Sequence, residues 1–103
     1  MGEIKAFLVG VSNYSALKQS DLPFCRNDIE LMRTTLINDL SVKSSDIIML
    51  GENLVVEHSD VENKFEYYKS TIRNDDTFIF YFSGHGGNLK DNSHVLAFSD
   101  GTL

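Results

Sequence analysis

Thr77-Phe78-Ile79-Phe80-Tyr81-Phe82-Ser83-Gly84-His85-Gly86-Gly87 is the stretch on which the fold turns. Phe78 to Phe82 are uncharged and all aromatic or β-branched. A short apolar run bounded by turn residues reads as a strand buried on both faces of a parallel sheet. The run breaks into Ser-Gly-His-Gly-Gly, where glycines free the backbone around one imidazole. In open α/β sheets chemistry collects just beyond the carboxyl ends of the strands, and His85 stands at such an end. A hairpin turn carrying an incidental histidine is the competing reading.

Working outward, Ile4–Val11 is apolar apart from Lys5 and reads as a first buried strand leaving into a loop, Ser15–Cys25, that holds the only proline, Pro23. Asn27 with Glu30 three residues on suggests a capping box. Ile29, Met32, Leu36 and Leu40 then recur at helical spacing, which predicts a helix over Asp28–Leu40. Ile47–Leu50 before Gly51 predicts a second strand, and Leu54-Val55-Val56 is ambiguous between strand and packed loop. Ser59 with Glu62 suggests a second capping box. Val61, Phe65, Tyr68 and Ile72 follow, predicting a helix over Asp60–Arg73. Asn88–Asn92 reads as a polar loop, His94–Phe98 as a short strand and Asp100-Gly101 as a turn. The order β-α-β-α-β with short connections predicts an α/β fold with a parallel sheet and right-handed crossovers.

Composition limits the function. At 103 residues the chain is one domain or part of one, and its hydrophobic content of 42% suits a globular core. A net charge of −6 argues against non-specific nucleic-acid binding and tolerates cationic substrates. The single cysteine excludes an internal disulfide and fits a reducing compartment. No apolar run approaches membrane-spanning length, no leader pattern is present, and Ala6 stands where a myristoylation signal needs Ser or Thr. The expectation is a cytoplasmic protein with no membrane segment.

The run Phe80–Gly87 resembles the histidine motif of caspase-like cysteine peptidases, the group of caspases, metacaspases and bacterial relatives. Ala6–Val11, then Asn13-Tyr14, Leu22, Cys25, Asn27 and Asp28, resembles the metacaspase opening in residue type and order. The resemblance covers nearly all of residues 1–103, but only the N-terminal, large-subunit-like half of such a catalytic domain. It implies a caspase-like three-layer αβα fold with a mostly parallel sheet, incomplete here, with core strands in the order 2-1-3 and flanking helices. It further implies that His85 is the catalytic acid/base and that Gly86 offers its N–H to the oxyanion. Cys25, Asp28 and Ser83 match positions lining the pocket for a basic substrate residue. A carboxylate at the base of a pocket selects Lys or Arg, since a buried unpaired charge is costly.

Two of these assignments have plainer competitors. Asp28 could simply sit in a first helical turn, where the dipole favours an anion, and Cys25 could pack as a small buried hydrophobe. Cys25 is not expected to be the nucleophile, which in the family ends a later strand and has no counterpart in this sequence. The resemblance also raises calcium, without placing ligands. No spaced metal-ligand motif joins Cys25, His58, His85 and His94. The glycines at 84, 86 and 87 lack the following helix that dinucleotide binding requires. The expected partners are a peptide or protein substrate and, at the open edge of strand three, the remaining half of the domain or a second copy. The alternatives are a non-catalytic caspase-like module that binds a partner through that edge and, more distantly, a flavodoxin-like domain binding a small anion.

Overall fold

The computed structural model describes residues 2–12, 22, 24–52, 55–88, 94–96 and 98–99. Expectations resting on Asn13, Tyr14, Pro23, Leu54, Asp91, Asp100 and Gly101 lie outside the described residues. The elements are β1 (Ile4–Gly10), α1 (Cys25–Leu40), a single 3-10 turn (Ser44–Asp46), β2 (Ile47–Leu50), α2 (His58–Thr71), β3 (Thr77–Ser83), β4 (Gly86–Asn88) and β5 (His94–Leu96). β1, β2 and β3 form a parallel sheet in the order β2-β1-β3. Phe7 pairs with Ile48 on one side and Phe80 on the other. This is the α/β arrangement that the strand pattern and the family resemblance predict.

The central strand explains the layering. Successive side chains of a strand point to opposite faces. Accordingly, Phe7, Val9 and Val11 join Val56, Val61, Tyr68 and Phe98 in one cluster, whereas Ala6 and Leu8 join Ile29, Leu36 and Val42 in another. α2 therefore covers one face and α1 the other, as right-handed crossovers to opposite edges require. Phe7, Leu8 and Val9 are fully buried, each side chain stabilising the fold by about 1.5–3 kcal/mol. The Phe7 ring lies 5.3 Å from Phe65, 5.6 Å from Phe80 and 5.8 Å from Tyr68. The Tyr68 hydroxyl donates to the Ala6 carbonyl at 3.0 Å, tying α2 to β1 across the core.

Helix starts are where the structure corrects the sequence reading. α1 begins at Cys25, with Phe24 at the cap and no side-chain cap bond, so the Asn27–Glu30 box is not what starts it. The chain turns in through a Cys25 N–H to Leu22 carbonyl bond of 3.3 Å and buries Cys25 against the sheet. Burial of that residue outweighs the local capping preference. The expected apolar stripe ends at Leu36, because Leu40 is exposed. α2 is capped by a reciprocal box of Glu57 and Asp60, not Ser59 and Glu62, with Glu57 N–H donating to Asp60 Oδ2 at 3.3 Å. Carboxylates suit this end of a helix as well as hydroxyls do, and the local dipole favours them.

The expected strand over His94–Phe98 is shorter. β5 ends at Leu96 and pairs antiparallel with β4, Gly86 opposite Leu96 and Asn88 opposite His94. Gly86 and Gly87 therefore open a small second sheet instead of the hairpin turn of the competing reading, since β3 pairs only with β1 among the described residues. His85 stands just ahead of that second sheet.

Candidate active site

The strand order creates a switch point. From β1 the chain crosses to β2 over one face and returns to β3 over the other, so the connections diverge beyond the carboxyl ends of β1 and β3. Ligand sites of open α/β sheets lie at such points. Gly10 and Ser83, the last residues of β1 and β3, are paired there, and Val11 N–H extends the pairing to the Ser83 carbonyl at 2.9 Å.

The start of α1 presses onto this end. A Cβ added at Gly10 would lie 2.7 Å from the Cys25 carbonyl oxygen and 3.1 Å from Ile29 Cγ2. Only glycine lets the first turn of the helix come so close. Gly51, just past β2, has a φ of 114° and packs on the Gly10 carbonyl, where a Cβ would lie 1.8 Å away. Neither glycine stood out in the sequence, because the close approach is made by segments distant in the chain.

That approach brings Asp28 to Ser83. Ser83 Oγ donates to Asp28 Oδ2 at 2.6 Å in a partly buried setting. The distance is at the short end for an O–H···O bond. Asp28 lies in the first turn of α1, where the helix dipole also favours the anion. Two expected pocket residues, 55 positions apart in sequence, are thus in contact. Cys25 stands one helical turn before Asp28 as a free thiol, only 4% exposed. Reactive cysteines sit in partly exposed surroundings, so this burial suits packing or pocket lining better than nucleophilic attack.

His85 is half-buried and Gly86 exposed, with Gly84 and His85 linking β3 to β4. The imidazole therefore follows directly from the strand that carries Ser83. Ser12, also at this end, is 3% exposed, and its Oγ has no hydrogen-bond partner among the described residues. Such an orphan hydroxyl costs about 1–3 kcal/mol; it marks a polar spot the sequence reading had passed over. Among the described residues no three His, Cys, Asp or Glu groups converge to hold a metal. No helix among them is long and apolar enough to cross a membrane.

Comparison with known proteins places the chain in a family. The family model for the metacaspase, peptidase C14 domain matches residues 4–102. Metacaspase-1 of Scheffersomyces stipitis is 27% identical over 95 residues, covering 87% of this chain and 23% of the relative. Metacaspase-1 of Schizosaccharomyces pombe is 26% identical over 95 residues, covering 87% of this chain and 22% of its own. Metacaspase-1 of Debaryomyces hansenii is 28% identical, with 87% and 21% covered. The chain thus spans about a quarter of the length of the curated relatives it matches.

Proposed function

The chain belongs to the metacaspase family, peptidase C14, and from that premise we propose that it forms the large-subunit-like part of a cysteine endopeptidase cleaving after Arg or Lys. The observation that carries this reading is the 2.6 Å contact of Ser83 Oγ with Asp28 Oδ2 at the switch point. It sets a carboxylate beside the strand that leads into His85. In the proposed site the substrate's cationic side chain meets Asp28, with Ser83 orienting the carboxylate and Cys25 flanking it.

In this reading the nucleophilic cysteine lies outside these 103 residues. His85 takes the proton of that thiol, and the thiolate attacks the carbonyl carbon of the scissile bond. The carbonyl oxygen becomes an oxyanion facing the Gly86 N–H, a type of donor worth about 3–4 kcal/mol. Collapse breaks the C–N bond, and His85 returns the proton to the leaving amine. Water then hydrolyses the thioester by the same two groups.

The pocket can be tested without the nucleophile. Titration of the isotope-labelled chain with acetyl-Arg-amide should move the amide resonances of Asp28 and Ser83. The citrulline analogue, isosteric and neutral, should move them far less, and Asp28→Asn should abolish the difference. Equal responses to both ligands would return Asp28 to an ordinary place at a helix start.

A second reading, of a non-catalytic module that binds a partner through its sheet edge, rests on β3. Among the described residues β3 pairs only with β1, and Phe78 to Phe82 are all half-exposed. An open apolar edge is a template for another strand. Under either reading that edge takes the rest of the domain or a second copy. The purified chain should sediment as a dimer or larger species at micromolar concentration; a monodisperse monomer would contradict the open edge.

A further inference from the structure

His85 occupies an unusual position in the chain: β3 ends at Ser83 and β4 starts at Gly86, so the imidazole rides on a link of two residues between two sheets. One end of that link is fixed by the pairing of Ser83 with Gly10. The other end is only as fixed as the β4–β5 pair, a three-residue antiparallel ladder too small to be stable alone.

What holds that ladder is a clasp just past β5. Ser99 N–H donates to the Val56 carbonyl at 2.8 Å, and Val56 N–H donates back to Ser99 Oγ at 2.9 Å. The two residues are 43 positions apart, and Val56 immediately precedes the Glu57 cap of α2. Between ladder and clasp, Phe98 is buried, with its ring 6.1 Å from Phe82 of β3 and 5.4 Å from His58 at the start of α2. The tail of β5 is thereby tied to both the main sheet and a helix. Leu96, the end of β5, lies opposite Gly86. Fastening residues 98 and 99 therefore fastens Gly86, and with it the far end of the His85 link.

We propose that Phe98 and Ser99 are positioning residues, whose attachment to Val56 and His58 fixes the His85 imidazole and the Gly86 N–H against the carboxyl end of the main sheet. The purpose served rests on the peptidase reading given above, but the coupling does not. The clasp and the Phe98 ring are the described contacts that secure the tail of β5, so losing them would loosen Gly86 and the end of the link that it carries. Catalytic groups must be held to within fractions of an ångström, and side chains that touch no substrate do much of that work.

The test uses the 103-residue chain and NMR. Ser99→Ala removes the acceptor for Val56 N–H while leaving the Ser99 N–H bond in place; Ser99→Thr keeps the hydroxyl. Amide exchange in the β4–β5 ladder should quicken about five- to tenfold in the Ala variant, the effect of one lost hydrogen bond. The His85 Cε1–Hε1 signal should shift or broaden, β1 amides should stay as protected as before, and Thr should restore the original pattern. Phe98→Leu, which keeps an apolar anchor but loses the ring contacts, should act in the same direction. An unchanged His85 signal and ladder in the Ala variant would overturn the proposal. So would equal acceleration in β1 and the ladder, or failure of Thr to restore the pattern. None of these readouts passes through peptide cleavage, so failure of the peptidase reading would leave them untouched and be recognised separately.

Discussion

Replacing Gly10 by alanine sets two effects against each other, and the structure decides between them. Gly51 is the only described glycine with a positive φ, so alanine at position 10 meets no left-handed backbone. Loss of a flexible residue from the unfolded chain would by itself stabilise by about 0.4–1 kcal/mol. The new Cβ, however, would lie 2.7 Å from the Cys25 carbonyl oxygen, 3.1 Å from its carbon and 3.1 Å from Ile29 Cγ2. Two of those atoms are backbone, which cannot swing aside. The first turn of α1 must back away by several tenths of an ångström, and overpacking of this kind costs about 1–3 kcal/mol. Steric cost wins, leaving a net loss of about 1–2 kcal/mol. In a domain of this size each kcal/mol lowers Tm by about 4–8 °C. Thermal unfolding at matched protein concentration measures it, with the Ser83 amide shift reporting whether the Asp28 contact has lengthened. A variant as stable as the parent, with that shift unmoved, would refute the close helix–strand approach on which the site is built.

The remaining expectations are simpler. The isolated 103-residue chain should not turn over an Arg-based fluorogenic peptide, since His85 has no thiolate to serve; turnover lost in Cys25→Ala would make Cys25 the nucleophile after all. Asp76 accepts the Glu3 and Arg73 N–H groups at 2.9 Å each, and these bonds hold its carboxyl below the usual range. A depressed folded pKa stabilises above the ordinary carboxylate range and is lost as pH falls through the folded value. Asp76→Asn should therefore lower Tm at pH 7 and lose that deficit in acid; a deficit independent of pH would refute the assignment. At the alkaline end, burial pushes the Tyr68 phenol up to about 12, with Tyr67 adding to the shift. A raised folded pKa stabilises below the ordinary value and is lost as pH rises through the folded one. Tyr68→Phe should abolish any loss of stability between pH 10 and 12 that this group causes, while costing about 1 kcal/mol at pH 7 for the lost Ala6 bond. Unfolding measured across that range checks both.

The sequence disclosed most where local pattern and tertiary demand coincide. Ile4–Gly10, Ile47–Leu50 and Thr77–Ser83 are short apolar runs ending at turn residues, and each is a strand of the main sheet. Side chains on both faces of this sheet pack into the core, so the runs are apolar nearly throughout, although only β1 is buried over most of its length and β2 and β3 stay largely half-buried at the edges. Helix starts were less legible. Asn27 and Ser59 are good capping residues by local chemistry, but the burial of Cys25 and the Glu57–Asp60 box moved both starts upstream. Half of the β4–β5 pair was hard to see, since Gly86, Gly87 and Asn88 carry no hydrophobic signal, whereas β5 lies within the strand expected over His94–Phe98. Its hold comes from Val56, in a stretch the pattern left ambiguous, and from Ser99. Asp28 and Ser83 became candidates through family resemblance, and the fold adds their contact. Gly10 and Gly51 could be recognised only with the neighbouring backbone in place.

The proposed role of His85 as the acid/base of a cysteine peptidase is tested in the full-length gene product. Hydrolysis of an Arg-based fluorogenic peptide should be compared between the wild type and His85→Ala, with circular dichroism showing matched folding. The wild type should cleave the peptide, and the variant should fall to background at an unchanged Tm. Cleavage retained by a folded His85→Ala protein would contradict that role.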